Sequence, residues 1–338
     1  MQQCFTAILQ QLGFDSGRAQ QCAEIFTNNS IDGVYTHGVN RFPRFAKYVR
    51  DGIIKINASP TLVNAMGALE QWNGNLGPGV LNAKHATGRA MELASQHGVG
   101  CVALADTSHW MRAGAYGWQA AKAGFVFIGW TNTIANMPAW GAVDARLGNN
   151  PLVLALPYGD EAIVLDMAMS QFSFGAIEAA VIRNEKMPVN AGFDDSGNLT
   201  DDPAAVIATR RLIPVGYWKG SGLALLLDIL SVVLSGGKST QEISREKTEF
   251  GLSQVFIAID SKRLPDQSNI TKAVQEIIAD FHGSVPVDKK QKISFPGERV
   301  LATRKKNTTN GIPVQKKIWD IITRLQTDQS VLDDIPYT

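Results

Sequence analysis

Cysteine is scarce here: Cys4, Cys22 and Cys101 are the three in a chain of 338 residues. An odd count with no CxxC pair argues against a disulfide framework and against a cysteine zinc site. It fits a reducing, cytoplasmic setting. Charge of one sign is also lacking, since 32 Lys and Arg face 31 Asp and Glu and leave a formal +1. That balance gives nucleic acid or an anionic membrane no electrostatic hold. The basic run Arg304-Lys305-Lys306 is short and reads as a solvated helix face. Long apolar runs are missing too. The most apolar stretch, Leu223 to Leu234, is interrupted by Asp228 and falls short of the roughly 20 residues that span a bilayer. It reads as a buried helix. The first residues lack the basic region and apolar run of a signal peptide.

Familiar site motifs are absent as well. No GxGxxG follows an expected strand, and Gly74 to Gly79, GNLGPG, has the wrong spacing and an internal proline. This argues against an ordinary Rossmann site. Without a GxSxG elbow a serine hydrolase has little support. No HExxH or carboxylate cluster occurs, and His85 and His97 lie too far apart on one helix, so no metal site is expected.

What is present reads as a mixed α/β chain. Residues 2–12 and 18–29 have helical periodicity, with Asp15 and Ser16 as capping oxygens. Pro43 begins a third helix that turns Phe45 and Tyr48 inward. An extended stretch, 61–72, follows. Helices at 78–97 and 112–123 then alternate with strands at 99–105 and 125–131. Two further strands, 152–156 and 162–167, precede a helix at 221–235, a strand at 254–260 and a helix at 271–281. The tail from Arg299 is helical with a break at Pro313. Such alternation predicts an α/β core, taken as residues 69–286. The segments 1–68 and 287–338 are expected to pack together as a discontinuous helical lobe.

Candidate chemistry concentrates in a few places. DGVYTHGVNRFPRF, residues 32–45, sets His37 four residues before Arg41 in a turn flanked by Gly33 and Gly38. Histidine exchanges a proton near neutral pH, and arginine grips a carboxylate through two parallel hydrogen bonds. His109, in DTSHWMRAGAYG, falls just past a strand's C-terminal end, where open α/β sheets place ligands. Lys219-Gly220-Ser221-Gly222 precedes the apolar helix and offers either free amides for phosphate or a tight glycine-permitted helix start. Asp166, at a strand end, suits a sugar hydroxyl or a helix cap.

Taken in order, GVYTHGVNRFPRF, SHWMRAGAYGWQAA, NPLVLALP, LDMAMSQFSFG, GYWKGSG and FPGER resemble the malate/L-lactate dehydrogenase family, which lacks the Rossmann fold. The resemblance runs from the first helix to Trp319. It implies a non-Rossmann, mixed-sheet α/β fold and an NAD(P)H-dependent reductase of a small 2-keto sugar acid, working as a homodimer. Malate, L-lactate, sulfolactate or ureidoglycolate are the alternative substrates of the family. A non-catalytic protein that keeps the cofactor scaffold is the alternative of another class. The resemblance makes His37 the proton donor and places His109 in the active site; Arg41 is read as the carboxylate clamp. It assigns the nucleotide, NADH with NADPH as the second option, to Ala162, Ile163, Val164, Leu165, Asp166, Met167 and Ala168, to Trp218 and Lys219, and to Gly297, Glu298 and Arg299. Two positions depart from the family pattern: Thr36 stands where serine is usual, and Asn149 where threonine is common.

Overall fold

The computed structural model describes every residue except Lys247 and Thr338. Its first three helices form where the capping signals lie. The Asp15 carboxylate accepts the Arg18 N–H at 2.9 Å and starts α2 (Ser16–Ile31), which follows α1 (Gln2–Gln11). Pro43 occupies the first turn of α3 (Phe42–Arg50), where its missing N–H costs no intrahelical bond. Phe5 of α1 stacks on Phe42 with ring centroids 3.9 Å apart, and Phe26 of α2 meets Phe42 edge-on at 5.4 Å. Ile322 and Leu325, from the C-terminal helix Lys316–Leu325, join this cluster with Met111. Residues from both chain ends thus share one apolar core.

The stretch expected as extended is a hairpin of β1 (Thr61–Met66) and β2 (Leu69–Asn73). The expected boundary at residue 68 falls in its turn, so β1 belongs to the sheet. Helix α4 (Gly79–His97), β3 (Val99–Thr107), α5 (Gly114–Lys122) and β4 (Phe125–Thr131) follow. A small hairpin, β5 (Ala135–Pro138) and β6 (Ala145–Gly148), leads to β7 (Leu152–Tyr158) and β8 (Glu161–Met167). Next come α6 (Phe174–Arg183), a short β9–β10 hairpin at 192–200, α7 (Pro203–Thr209), α8 (Trp218–Ser235) and α9 (Thr240–Arg245). The chain closes with β11 (Leu252–Asp260), α10 (Gln267–His282), α11 (Glu298–Asn310) and α12 (Lys316–Leu325).

Seven strands make one sheet in the order β1-β2-β3-β11-β4-β7-β8. Only β2 and β3 run parallel; the other neighbours are antiparallel. The parallel pair β2 and β3 is joined through α4 as a βαβ unit, and the turn that opens α4 is GNLGPG rather than the Rossmann GxGxxG. One face is covered by α4 and α5, with Trp110, Tyr116, Phe127 and Phe256 between them. The other face packs Ala103 and Val255 against Ala224 and Leu227 of α8.

Helix α8 corrects the sequence reading in two ways. It begins at Trp218, so Lys219 lies in its first turn rather than ahead of it. Nor is it buried: Leu226 is 55% and Val233 66% exposed. By length and apolarity it is the one helix among the described residues that could cross a membrane. Its Asp228, however, is tied into the domain, accepting the Asn132 side-chain amide and the Thr240 N–H at 2.9 Å each. One apolar face therefore meets the sheet and the other is open.

Candidate active site

The loop after β3 carries His109 and is held in an unusual shape. Asp106 and Met111 both adopt positive φ, 48° and 65°, a conformation that side chains other than glycine seldom take. Helix α4 presses on this loop from beneath. A Cβ on Gly79 would lie 2.1 Å from the Ser108 carbonyl oxygen and 2.5 Å from that of His109. The glycines of GNLGPG therefore permit close packing under the histidine loop. The Met111 N–H donates to His109 Nδ1 at 2.9 Å, which assigns the proton of the neutral ring to Nε2.

His37 lies in a one-turn 3₁₀ helix, 35–37. Its backbone carbonyl accepts the Asn29 side-chain amide at 2.9 Å, and its Nδ1 lies 3.2 Å from Thr36 Oγ1. The extra methyl of Thr36 is accommodated by Gly175, where a Cβ would come within 2.3 Å of it. His37 and His109 face each other with ring centroids 5.7 Å apart and planes tilted by 20°. Two histidines from separate motifs thus form one pair.

Positive charge surrounds the pair. Burial, then His109, Arg41 and Arg112, pushes His37 down to about 3. Burial, then Arg41 and Arg44, does the same to His109, also to about 3. Both rings are neutral at pH 7, whereas a proton-donating His37 was expected as an imidazolium. An imidazolium here needs an incoming anion to offset the guanidinium groups. The Arg41 guanidinium makes no hydrogen bond or ion pair with any described residue and is available to such an anion.

Four charged residues near the pair were not singled out from sequence. Arg44 follows Arg41 by one turn, and burial and Arg41 lower it to about 10. Glu249 accepts the Ile134 N–H at 3.1 Å and faces both Arg41 and Arg44; burial raises its carboxyl against their pull. Asp32 takes a hydrogen bond from Arg112 Nη1 and bonds from Arg304 Nε and Nη2 at 2.6 and 2.9 Å. Arg304 is therefore an anchored residue, also seated over the Trp118 ring at 4.5 Å, and only Lys305 and Lys306 are solvated. Arg44 and Arg112 sit inside recognised motifs, so their spacing was a usable signal. Glu249 had none.

The residues expected to meet the nucleotide lie on β8, an edge strand, or are linked to it. Val164 N–H donates to the Pro296 carbonyl at 3.0 Å, and Gly297, at φ 96°, lies so close that a Cβ would be 3.1 Å from Val164 N. Asp166 accepts the Gly114 N–H at 2.8 Å, so it holds the start of α5 rather than of the next helix. Past the strand, the Met169 carbonyl accepts Val215 N–H at 2.8 Å and abuts Gly220 of α8. Gly297 thus adjoins the middle of β8 near Trp118 of α5, whereas Trp218 and Lys219 open α8 on the opposite sheet face and are linked to the end of β8 through Met169. Trp218 is 65% exposed, and the side chains of Lys219 and Arg299 are exposed with no bonded partner among the described residues. Glu298 differs: its carboxylate is taken by Lys292, by His282 at 2.9 Å and by the Phe295 N–H at 3.2 Å. Its side chain braces α10 against α11.

The chain belongs to the malate/L-lactate dehydrogenase family, whose profile matches residues 1–323. It is thus an oxidoreductase of the dehydrogenase class. Among relatives, 2,3-diketo-L-gulonate reductase of Escherichia coli K12 is 43% identical over 316 residues, 93% of this chain and 95% of that one. Two solved structures share the fold. Sulfolactate dehydrogenase of Methanocaldococcus jannaschii superposes with a TM-score of 0.86 at 26% identity, covering 99% of this chain and 98% of the other. Malate dehydrogenase of Pyrococcus horikoshii gives 0.86 at 25% identity, covering 96% and 92%.

The neutral histidines have a consequence for stability. In the unfolded chain each titrates near the usual 6.5, while in the fold each does so near 3. The unfolded state therefore binds more protons between those values, and stability falls as pH drops through that window. Calorimetry should show the melting temperature declining from pH 7 to pH 5. The double variant His37→Gln, His109→Gln should show a shallower decline. An unchanged slope in that variant would mean the pair is not held neutral by the fold.

Proposed function

We propose that this protein is an NAD(P)H-dependent 2,3-diketo-L-gulonate reductase acting as a homodimer. The observation that carries the reading is the His37–His109 pair, stacked at 5.7 Å beside an unpartnered Arg41 guanidinium. The 43% identity to a reductase of that name over most of the chain supports the substrate. The cofactor is taken as NADH, with NADPH as the alternative, held along Ala162 to Ala168, by Trp218 and Lys219, and at Gly297 to Arg299. The residues present suit a dinucleotide. Lys219 and Arg299 carry cationic side chains without a partner among the described residues and can meet a pyrophosphate, Trp218 offers an exposed ring, and Gly297 lets its loop pack directly on the β8 backbone.

When bound, the cofactor supplies the hydride to the keto carbon. The chain's own residues do the rest. Arg41 holds the substrate carboxylate through its planar fork. That carboxylate brings the negative charge that lets His37 hold a proton. His109, with its hydrogen on Nε2, donates a hydrogen bond to the carbonyl oxygen and polarises it. His37 then delivers its proton to that oxygen.

The second subunit is assigned to the open face of α8. Leu225, Leu226, Ile229, Leu230 and Val233 form an exposed apolar stripe at helical spacing, the kind of patch that marks an interface. The expected division into a helical lobe, 1–68 with 287–338, and a core, 69–286, is proposed with its first boundary moved ahead of β1, which starts at Thr61. A cytoplasmic location fits the three free thiols.

A panel of 2-keto acids, assayed by loss of reduced-cofactor absorbance with NADH and with NADPH, tests the reading. 2,3-Diketo-L-gulonate should have the highest kcat/KM. His37→Asn should cut its turnover by about 10²- to 10⁴-fold while cofactor affinity is kept. Faster reduction of oxaloacetate or sulfopyruvate would overturn the substrate. A near-normal rate in His37→Asn would overturn the proton donor.

Charge around the site gives a sharper test of substrate class. Arg41 and Arg44 sit beside the buried carboxylate of Glu249, with Glu178 also acting on Arg44, so the local charge balance is a means of selecting substrate charge. Glu249→Gln should move the kcat/KM ratio towards a dicarboxylic keto acid by about tenfold, as expected for removing one nearby charge. An unmoved ratio would show that Glu249 does not select substrate charge.

A further inference from the structure

The two histidine-bearing segments are joined by one hydrogen-bonded contact among the described residues, and it is ionic: Arg112 Nη1 to Asp32 Oδ2. Asp32 closes α2 and precedes His37 by one short turn. Arg112 adjoins Met111, whose N–H fixes His109. Both partners are buried, with side chains 4% and 7% exposed. Arg112 also looks a third way. Its Nε has no hydrogen-bond partner and lies 4.0 Å from Asp166 Oδ2, on the strand assigned to the nucleotide. That oxygen already holds the Gly114 N–H, the first residue of α5. One guanidinium therefore meets the His37 segment, the His109 loop and β8.

We infer that Arg112 is a positioning residue of the reaction: through Asp32 it sets the spacing of His37 and His109, and beside Asp166 it keeps that pair in register with β8. The inference rests on the His37–His109 reading of the site. The geometry has a built-in safeguard, because Asp32 keeps two bonds from Arg304 when Arg112 is removed. A variant at Arg112 therefore leaves no bare buried carboxylate at Asp32. Charge and shape also separate. A lysine restores the positive charge, but an ammonium cannot present one N–H to Asp32 and a second, held in the same plane, towards Asp166. His37 faces His109 from the β3 loop, Arg41 from the start of α3, and Arg112, so one of its two guanidinium neighbours is lost in a neutral variant.

The test compares wild type with Arg112→Met and Arg112→Lys. Histidine C2–H resonances are titrated by NMR in the free protein, with His37 and His109 assigned from His37→Gln and His109→Gln. Steady-state kinetics are run on the keto acid that the wild type reduces best. In Arg112→Met the His37 titration should move up, since a repelling charge is gone, and kcat should fall by about 10²-fold, the scale of a misplacement near 1 Å. In Arg112→Lys the titration should return towards wild type while kcat stays depressed. If the reductase reading fails and no keto acid is turned over, the NMR arm still decides the placement of Arg112. A lowered melting temperature with unchanged His37 titration and unchanged kcat in both variants would make Arg112 a fold-supporting residue and overturn the inference. Should Arg112→Met not fold, Arg112→Lys alone decides: wild-type kcat in it would contradict the need for the fork.

Discussion

Two imidazoles are kept neutral inside a ring of guanidinium groups, and most of what this site does follows from that. A cationic enclosure around neutral bases is incomplete electrostatically until an anion arrives. Arg41, Arg44 and Arg112 act on the pair; Glu249 opposes Arg41 and Arg44, and Glu178 also acts on Arg44. A small carboxylate entering here meets favourable charge and alters the proton affinity of the very group assigned to donate. Binding and protonation are then one event, which is a physical reason for a histidine this depressed to serve as an acid.

The fold supplies the enclosure by bringing distant segments to one end of a mixed sheet. The loop after β3 contributes His109, braced by Gly79 of α4. The turn between α2 and α3 contributes His37, held by Asn29 and by the aromatic cluster of Phe5, Phe26 and Phe42. Strand β8, met on its outer edge by Pro296 and Gly297, contains part of the set of residues assigned to the nucleotide. Because β8 is an edge and α8 has an open apolar face, both lie where a second subunit or a cofactor can add contacts without rearranging the core.

Legibility in the sequence varied with the range of the interaction. Local signals read well: Asp15 caps α2, Pro43 starts α3, and the strand at Phe125–Thr131 has the expected bounds. His37, Arg41 and His109 were found because each sits in a short polar turn beside glycines, and the motif likeness joined them. Periodicity could not tell that α8 would be covered on one face only, since an apolar stripe reads the same whether its own chain or another covers it. The bond from Arg304 to Asp32 spans 272 residues and left no local trace, so Arg304 looked like part of a solvated run. Glu249 was missed for the same reason: its meaning comes from two arginines on a helix far away in sequence.

On this reading of the site, substrate charge protonates His37. Isothermal titration with oxamate, a non-reducible keto-acid analogue, tests this directly when the protein is first saturated with reduced cofactor. Runs at pH 7 in buffers of different ionisation enthalpy give the number of protons taken up on binding. The account predicts net uptake approaching one proton, abolished in His37→Gln. Binding without proton uptake would contradict it.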